Sequence, residues 1–140
     1  MKVYFNIEEL VITGETPPAN VEKKLWKHHI NPMNKVREEL GLWITASQHS
    51  GYRPVSWELS HGRSGKSQHT FTGKGAVDWT CEDFPTNKDK LLELIIKHTN
   101  YTRMALYNGF IHCDHKSTSD GKRQLFNSNS ASKWTFVKNV

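Results

Sequence analysis

The side chains best suited to do chemistry lie in SGYRPVSWELSHGRSGKSQHTFTGKGAVD, which runs from Ser50 to Asp78, and in the apolar run Phe110-Ile111-His112-Cys113-Asp114. His69 and Asp78 flank a glycine-containing connection that can bend an imidazole back towards a strand-borne carboxylate. His112 supplies a second imidazole from far along the chain. Two imidazoles and one carboxylate are a donor set for a catalytic zinc, which takes three protein ligands and keeps a fourth position open. Arg53 adds a planar guanidinium able to grip a carboxylate through two parallel hydrogen bonds, and Ser67 places a hydroxyl two residues before His69.

These groups can meet only if the elements around them present the right faces. Residues 75–80 (GAVDWT) predict a strand with Ala76, Asp78 and Thr80 on one face and Val77 and Trp79 on the other. Asn108-Gly109 between apolar runs predicts a two-residue turn joining strands over 103–107 and 110–115. In the second of these, Phe110, His112 and Asp114 share a face, opposite Ile111 and Cys113. Residues two apart on a strand lie roughly 6.5–7 Å apart, so His112 is expected as a ligand and Asp114 as the general base taking a proton from the attacking water. A histidine in an apolar strand is also a common core residue, and eight His in 140 residues make chance pairings inevitable.

The upstream chain reads as scaffold. Residues 3–10 are either a strand edge or a turn of helix. Asn20 caps a first helix expected to end near Asn31, because proline disfavours helical geometry in the residue before it. Pro32 then suits the first turn of a second helix, closed by Gly41. Residues 42–47 predict a short strand with Ile44 and Ala46 on one face. Residues 55–74 show no sustained period and are expected as a long loop, ordered or disordered, whose first part would shape a substrate pocket together with Trp57 and Trp79. Residues 88–98 predict an amphipathic helix carrying Leu91, Leu92, Leu94, Ile95 and Ile96, and residues 124–126 and 133–137 predict closing strands. The sum is an α+β domain, an antiparallel sheet flanked by helices.

At 140 residues without repeats, the chain is the size of one domain, residues 1–140, able to bury a core without disulfides. Cys81 and Cys113 form no CxxC pair and read as buried thiols, with a disulfide between them the alternative. The amino terminus carries Glu8 and Glu9 where a signal peptide needs an apolar core, and no run reaches membrane length. Synthesis in the cytoplasm without a signal peptide is therefore expected, with no membrane association. The formal charge of +5 suits a polyanionic partner, nucleic acid or bacterial cell wall. The basic residues are scattered and no aromatic array accompanies them, which argues against a nucleic-acid protein or a His-metal nuclease.

Ser67-Gln68-His69, the glycine-containing connection and Ala76-Val77-Asp78 resemble the SxHxxGxAxD motif of the zinc D-Ala-D-Ala carboxypeptidases and L-Ala-D-Glu peptidoglycan endopeptidases, which share their fold with the hedgehog signalling domain. Ser50-Gly51-Tyr52-Arg53 resembles the SGYR that precedes that motif, residues 110–114 resemble the strand bearing the last ligand, and residues 5–10 resemble the opening of short, single-domain members. The resemblance implies a hedgehog/DD-peptidase-like fold, Zn2+ on His69, Asp78 and His112, and substrate contacts from Arg53, Ser67 and Trp79. It implies a metallopeptidase acting on D-amino-acid-containing stem or cross-link peptides of peptidoglycan. With no export signal read in the chain, the expected setting is a phage lysin released from the cell or a hydrolase carried on a virion, acting as a monomer. Two departures stand out. Two extra residues separate His69 from Asp78, placing Lys74 where the motif has glycine. Gly109 and Phe110 occupy positions where many members carry the catalytic acid or histidine, so either Asp114 substitutes as base or the chain is a non-catalytic zinc-binding module of the same fold.

Overall fold

The computed structural model describes residues 2–130 and 133–140. Helices α1 (Ala19–Leu25) and α2 (Asn31–Leu40) precede strand β1 (Ile44–Ala46). Helix α3 (Val55–Ser60) leads to β2 (Ala76–Cys81) and α4 (Phe84–His98), and the chain closes with β3 (Arg103–Leu106), β4 (Ile111–Asp114), β5 (Gln124–Ser130) and β6 (Lys133–Asn139). The six strands form one sheet in the order β1-β2-β4-β3-β5-β6. The fold is α+β, as expected.

The sheet is not wholly antiparallel, because β3 and β5 pair in parallel. The β3–β4 hairpin returns the chain to the end where β3 begins, with Asp114 opposite Arg103. From there the chain passes to the free side of β3 and starts β5 with Gln124 opposite Arg103. Starting at that end, β5 must run in the direction of β3. The expected hairpin turn is present, closed by the Tyr107 N–H donating to the Phe110 carbonyl at 2.9 Å.

Three other expectations change for local reasons. The helix break near Asn31 does not occur: α1 continues through a π-type turn, Trp26–Ile30, into α2, with the Asn31 N–H donating to the Trp26 carbonyl. That one-residue widening accommodates the proline at position 32, which has no N–H to donate. Helix α4 begins four residues before the predicted start, since Pro85 fits a first turn where its missing N–H costs nothing. Residues 55–60, expected as loop, form α3. This helix turns a carboxylate inward, Glu58 at 0 % exposure, while Val55 and Leu59 face solvent. An apolar-periodicity reading cannot detect a helix with that pattern.

One apolar core joins the helices to a face of the sheet, with Val77, Trp79, Leu91, Leu94, Ile95, Met104, Ile111 and Cys113 all essentially inaccessible. Burial of these side chains is the main stabilising term. Cys81 and Cys113 are both buried free thiols rather than a disulfide. Among the described residues no helix is long and apolar enough to cross a membrane.

Candidate metal centre

The face of β2 and β4 opposite the core carries the site. Asp78 and His112 are directly opposed in the antiparallel ladder, the closest lateral relation that a sheet offers two side chains. His69 reaches them from a short 3-10 turn, Gln68–Thr70, whose first N–H groups are capped by Ser67: its Oγ accepts from the His69 N–H at 3.0 Å. The turn is tied down by the Arg53 N–H, which donates to the His69 carbonyl at 2.9 Å. The connection from His69 to Asp78, two residues longer than the motif, passes through Phe71 at φ 59° and Gly75 at φ 89°. A Cβ on Gly75 would sit 2.3 Å from the Phe71 ring, so the absence of a side chain there allows the aromatic to fold inward.

One donor atom from each of His69, Asp78 and His112 lies within 4.8 Å of the others. His69 Nε2 is 3.3 Å and His112 Nδ1 is 2.8 Å from Asp78 Oδ1. Donors sharing one tetrahedral zinc lie roughly 3.4 Å apart, so the spacing fits a small divalent ion. Proximity alone would be weak evidence; the far side of each ligand is what strengthens the fit. His69 Nδ1 lies 2.8 Å from the Gly51 carbonyl, which can only accept, so Nδ1 carries the proton and Nε2 presents its lone pair to the centre. His112 Nε2 lies 2.8 Å from Asp114 Oδ2, and Asp78 Oδ2 accepts from Ser50 Oγ at 2.8 Å. Carbonyls and carboxylates holding the outer nitrogens of metal-binding histidines are the usual supporting shell of such sites.

Without an ion, charge collects on the same atoms. Burial alone would depress the His112 pKa, but the carboxylates of Asp114 and Asp78 outweigh it and raise it to about 9. Burial would raise that of Asp78, but His69 and then His112 hold it far below the ordinary carboxylate range. The arrangement is a concentration of negative potential balanced by a proton that a metal ion can replace.

The predicted site residues divide into two groups. His69, Asp78, His112, Arg53 and Ser67 all line one cavity of about 590 Å³. Trp79, expected at the substrate, lies on the core face of β2 instead: it is inaccessible, packs on Phe5 at 5.3 Å between ring centroids and donates to Tyr101 Oη at 3.0 Å. The alternation that points Asp78 into the cavity points Trp79 away from it. Asp114, expected as general base, lies behind His112 at 0 % exposure and outside the cavity lining. Its Oδ1 accepts from Arg103 Nε at 2.9 Å and the Lys116 N–H at 3.0 Å, and its Oδ2 from Arg103 Nη2 and His112. Burial would raise the Asp114 pKa, but His112 and Arg103 bring it well below the ordinary range. A carboxylate with both oxygens engaged in this way is built to orient His112 rather than to accept a proton from water.

Other contributors were not among the expected site residues. Ser50 orients Asp78 from the SGYR segment, and Gly51 supplies its carbonyl where a Cβ would collide with the Leu10 carbonyl at 2.1 Å. Glu58 from α3 meets Arg53 Nε at 3.1 Å. Trp134 from β6 forms a wall, 5.2 Å from the His112 ring and under the Arg103 guanidinium at 4.7 Å, with its Nε1 donating to Tyr107 Oη. Ser50 and Gly51 had a local signal in their place beside Arg53, and Arg103 stands opposite Asp114 in the hairpin that the sequence predicts; Glu58 enters through α3, which the sequence does not reveal, and Trp134 through tertiary contacts. No protein-family model, curated protein or solved structure matches the chain.

Proposed function

We propose that this chain is a zinc-dependent peptidase of hedgehog/DD-peptidase-like fold, acting on D-amino-acid-containing stem or cross-link peptides of peptidoglycan. The observation that carries this reading is the convergence of His69 Nε2, His112 Nδ1 and Asp78 Oδ1, each with its opposite polar atom already engaged. A zinc ion bound there would supply Lewis acidity and an activated water. Asp114 keeps a proton on His112 Nε2 and so keeps Nδ1 directed at the centre. Arg53, whose Nη1 and Nη2 lie 3.4 Å from Ser50 and Ser67, orients a peptide carbonyl beside the metal donors. The +5 charge favours approach to an acidic wall polymer. A lysin released from the cell, or a hydrolase carried on a virion, is the setting we infer.

A second reading, a non-catalytic zinc-binding module of the same fold, is favoured by the placement of the carboxylates. Those lining the cavity are Asp78 and Glu58, the first a ligand and the second paired with Arg53, and Asp114 is saturated. Elemental analysis and digestion of purified peptidoglycan test both readings. One zinc per chain with release of free amino groups supports the peptidase, zinc without amine release supports the module, and no zinc uptake sinks both.

A further inference from the structure

Strand register places two of the metal donors in a row that runs on across the sheet. Asp78 is opposed by His112, His112 by Ala105, Ala105 by Phe126 and Phe126 by Phe136, so these side chains stand on one face. Ala105 is the small member between the imidazole and the two phenylalanines. Trp134, two residues before Phe136 on the same face, bridges that gap, with its ring 5.2 Å from His112 and 5.1 Å from Phe126. Phe136 continues the line at 6.0 Å from Phe126 and is 51 % exposed. A continuous track of rings therefore leads out of the cavity, from His112 to the last strand of the sheet.

The next row on the same face is polar, with Arg103 opposed by Gln124 and Gln124 by Asn139. Gln124 Nε2 donates to Asp120 Oδ1 at 2.9 Å, and the exposed Asn139 side chain bonds the same carboxylate. Aromatic rings beside side-chain amides suit a sugar. The C–H face of a pyranose is apolar and lies flat on a ring, while hydroxyl and acetamido groups at its rim exchange hydrogen bonds with amides. Contiguous rings left partly exposed beside a cavity mark a binding surface, which a single exposed ring would not. Strand addition by a second copy is opposed by Lys133 and Lys138, which put charge on the free edge of β6.

We infer that this face of β5 and β6 binds the amino-sugar rings of the glycan strand that carries the peptide cut at the metal. The surface is read from its own geometry, and the choice of an amino sugar rests on the wall-peptidase reading. Because the track begins at the metal donors, one polymer can lay its rings on Trp134, Phe126 and Phe136 while its peptide branch enters the cavity.

The test is calorimetric titration of the zinc-loaded protein with a β-1,4-linked tetramer of N-acetylglucosamine, which carries no peptide, and with the matching glucose tetramer, which lacks the acetamido groups. Wild type should bind the first saturably, and roughly threefold or more tighter than the second, as expected for one or more added hydrogen bonds. Phe136→Leu keeps apolar bulk but removes the flat ring, and should weaken binding by roughly fivefold to tenfold. Phe136→Tyr should retain the affinity, and both variants should keep their zinc. No saturable binding by wild type, equal binding of the two tetramers, or an affinity that Phe136→Leu leaves unchanged overturns the inference. Zinc uptake and amine release from peptidoglycan are read separately, so none of these results touches the metallopeptidase reading. Failure to take up zinc overturns that reading, and the same titration of the metal-free protein then decides whether the saccharide surface stands alone.

Discussion

Two buried histidines, on opposite faces of the sheet, show how partners decide what an imidazole is for. His112 and His29 are each hydrogen-bonded at both ring nitrogens. His112 stands between two carboxylates and is raised to about 9. His29 stands between a phenol and a carbonyl, and burial, the largest influence, lowers it to about 3. Its contacts form a chain of neutral donors: Trp79 Nε1–H to Tyr101 Oη at 3.0 Å, Tyr101 O–H to His29 Nδ1 at 2.7 Å, and His29 Nε2–H to the Lys74 carbonyl at 2.9 Å. One tautomer satisfies every member. The first imidazole is held ready for a cation, and the second pins the connection that delivers Asp78 to the site.

The largest test of this contrast is deletion. His112→Ala should abolish zinc uptake in elemental analysis, whereas His29→Gln should keep zinc and lose only stability. Retained zinc in His112→Ala would break the comparison at its root.

The pH dependence comes next, with opposite signs for the two residues. The folded-state pKa of His29 lies below the unfolded value of 6.5, so unfolding takes up a proton at acid pH. Its contribution is intact above 6.5 and is lost as pH falls towards 3, by about 5 kcal/mol at most. His112 is raised, so its contribution to the metal-free protein is intact below 6.5 and lost as pH rises through about 9. Denaturant melts across pH should show the acid limb weakened by His29→Gln. The alkaline limb should disappear when zinc is bound, because a coordinated imidazole has already given up that proton.

A smaller effect separates a base from an orienting group. Asp114→Asn should lower zinc affinity by roughly tenfold to a hundredfold and reduce the His112 pKa measured by NMR titration of the metal-free protein. Activity lost at saturating zinc with affinity unchanged would instead restore Asp114 as a proton acceptor. The smallest change expected at the metal comes from Trp79→Phe, which removes one donor from the neutral chain and leaves a cavity in the core, lowering stability by about 2–3 kcal/mol with zinc binding unchanged.

The strands that carry the donors were readable because their alternation is simple. Val77 and Trp79 inward against Asp78 outward, and Ile111 and Cys113 against His112, follow from a period of two residues. The same rule, applied to Trp79, already placed it on the face away from Asp78, and the expectation of a substrate contact gave way to it. Helix α3 was unreadable because its inward residue is a charge. The parallel β3–β5 pairing was unreadable because strand direction depends on where the preceding loop lets the chain re-enter the sheet, and residues 115–123 carry no periodic signal for that.

Residue type and alternation determined an α+β domain, and the motif resemblance singled out His69, Asp78 and His112 as a donor set with Arg53 and Ser67 near it in sequence. Only the tertiary structure decided that Asp114 stands behind its neighbour rather than beside the open centre. It likewise decided that Glu58 and Trp134 reach the site. Side-chain direction along a strand is a local property of backbone geometry, whereas which lone pairs are already taken depends on groups brought together from distant parts of the chain.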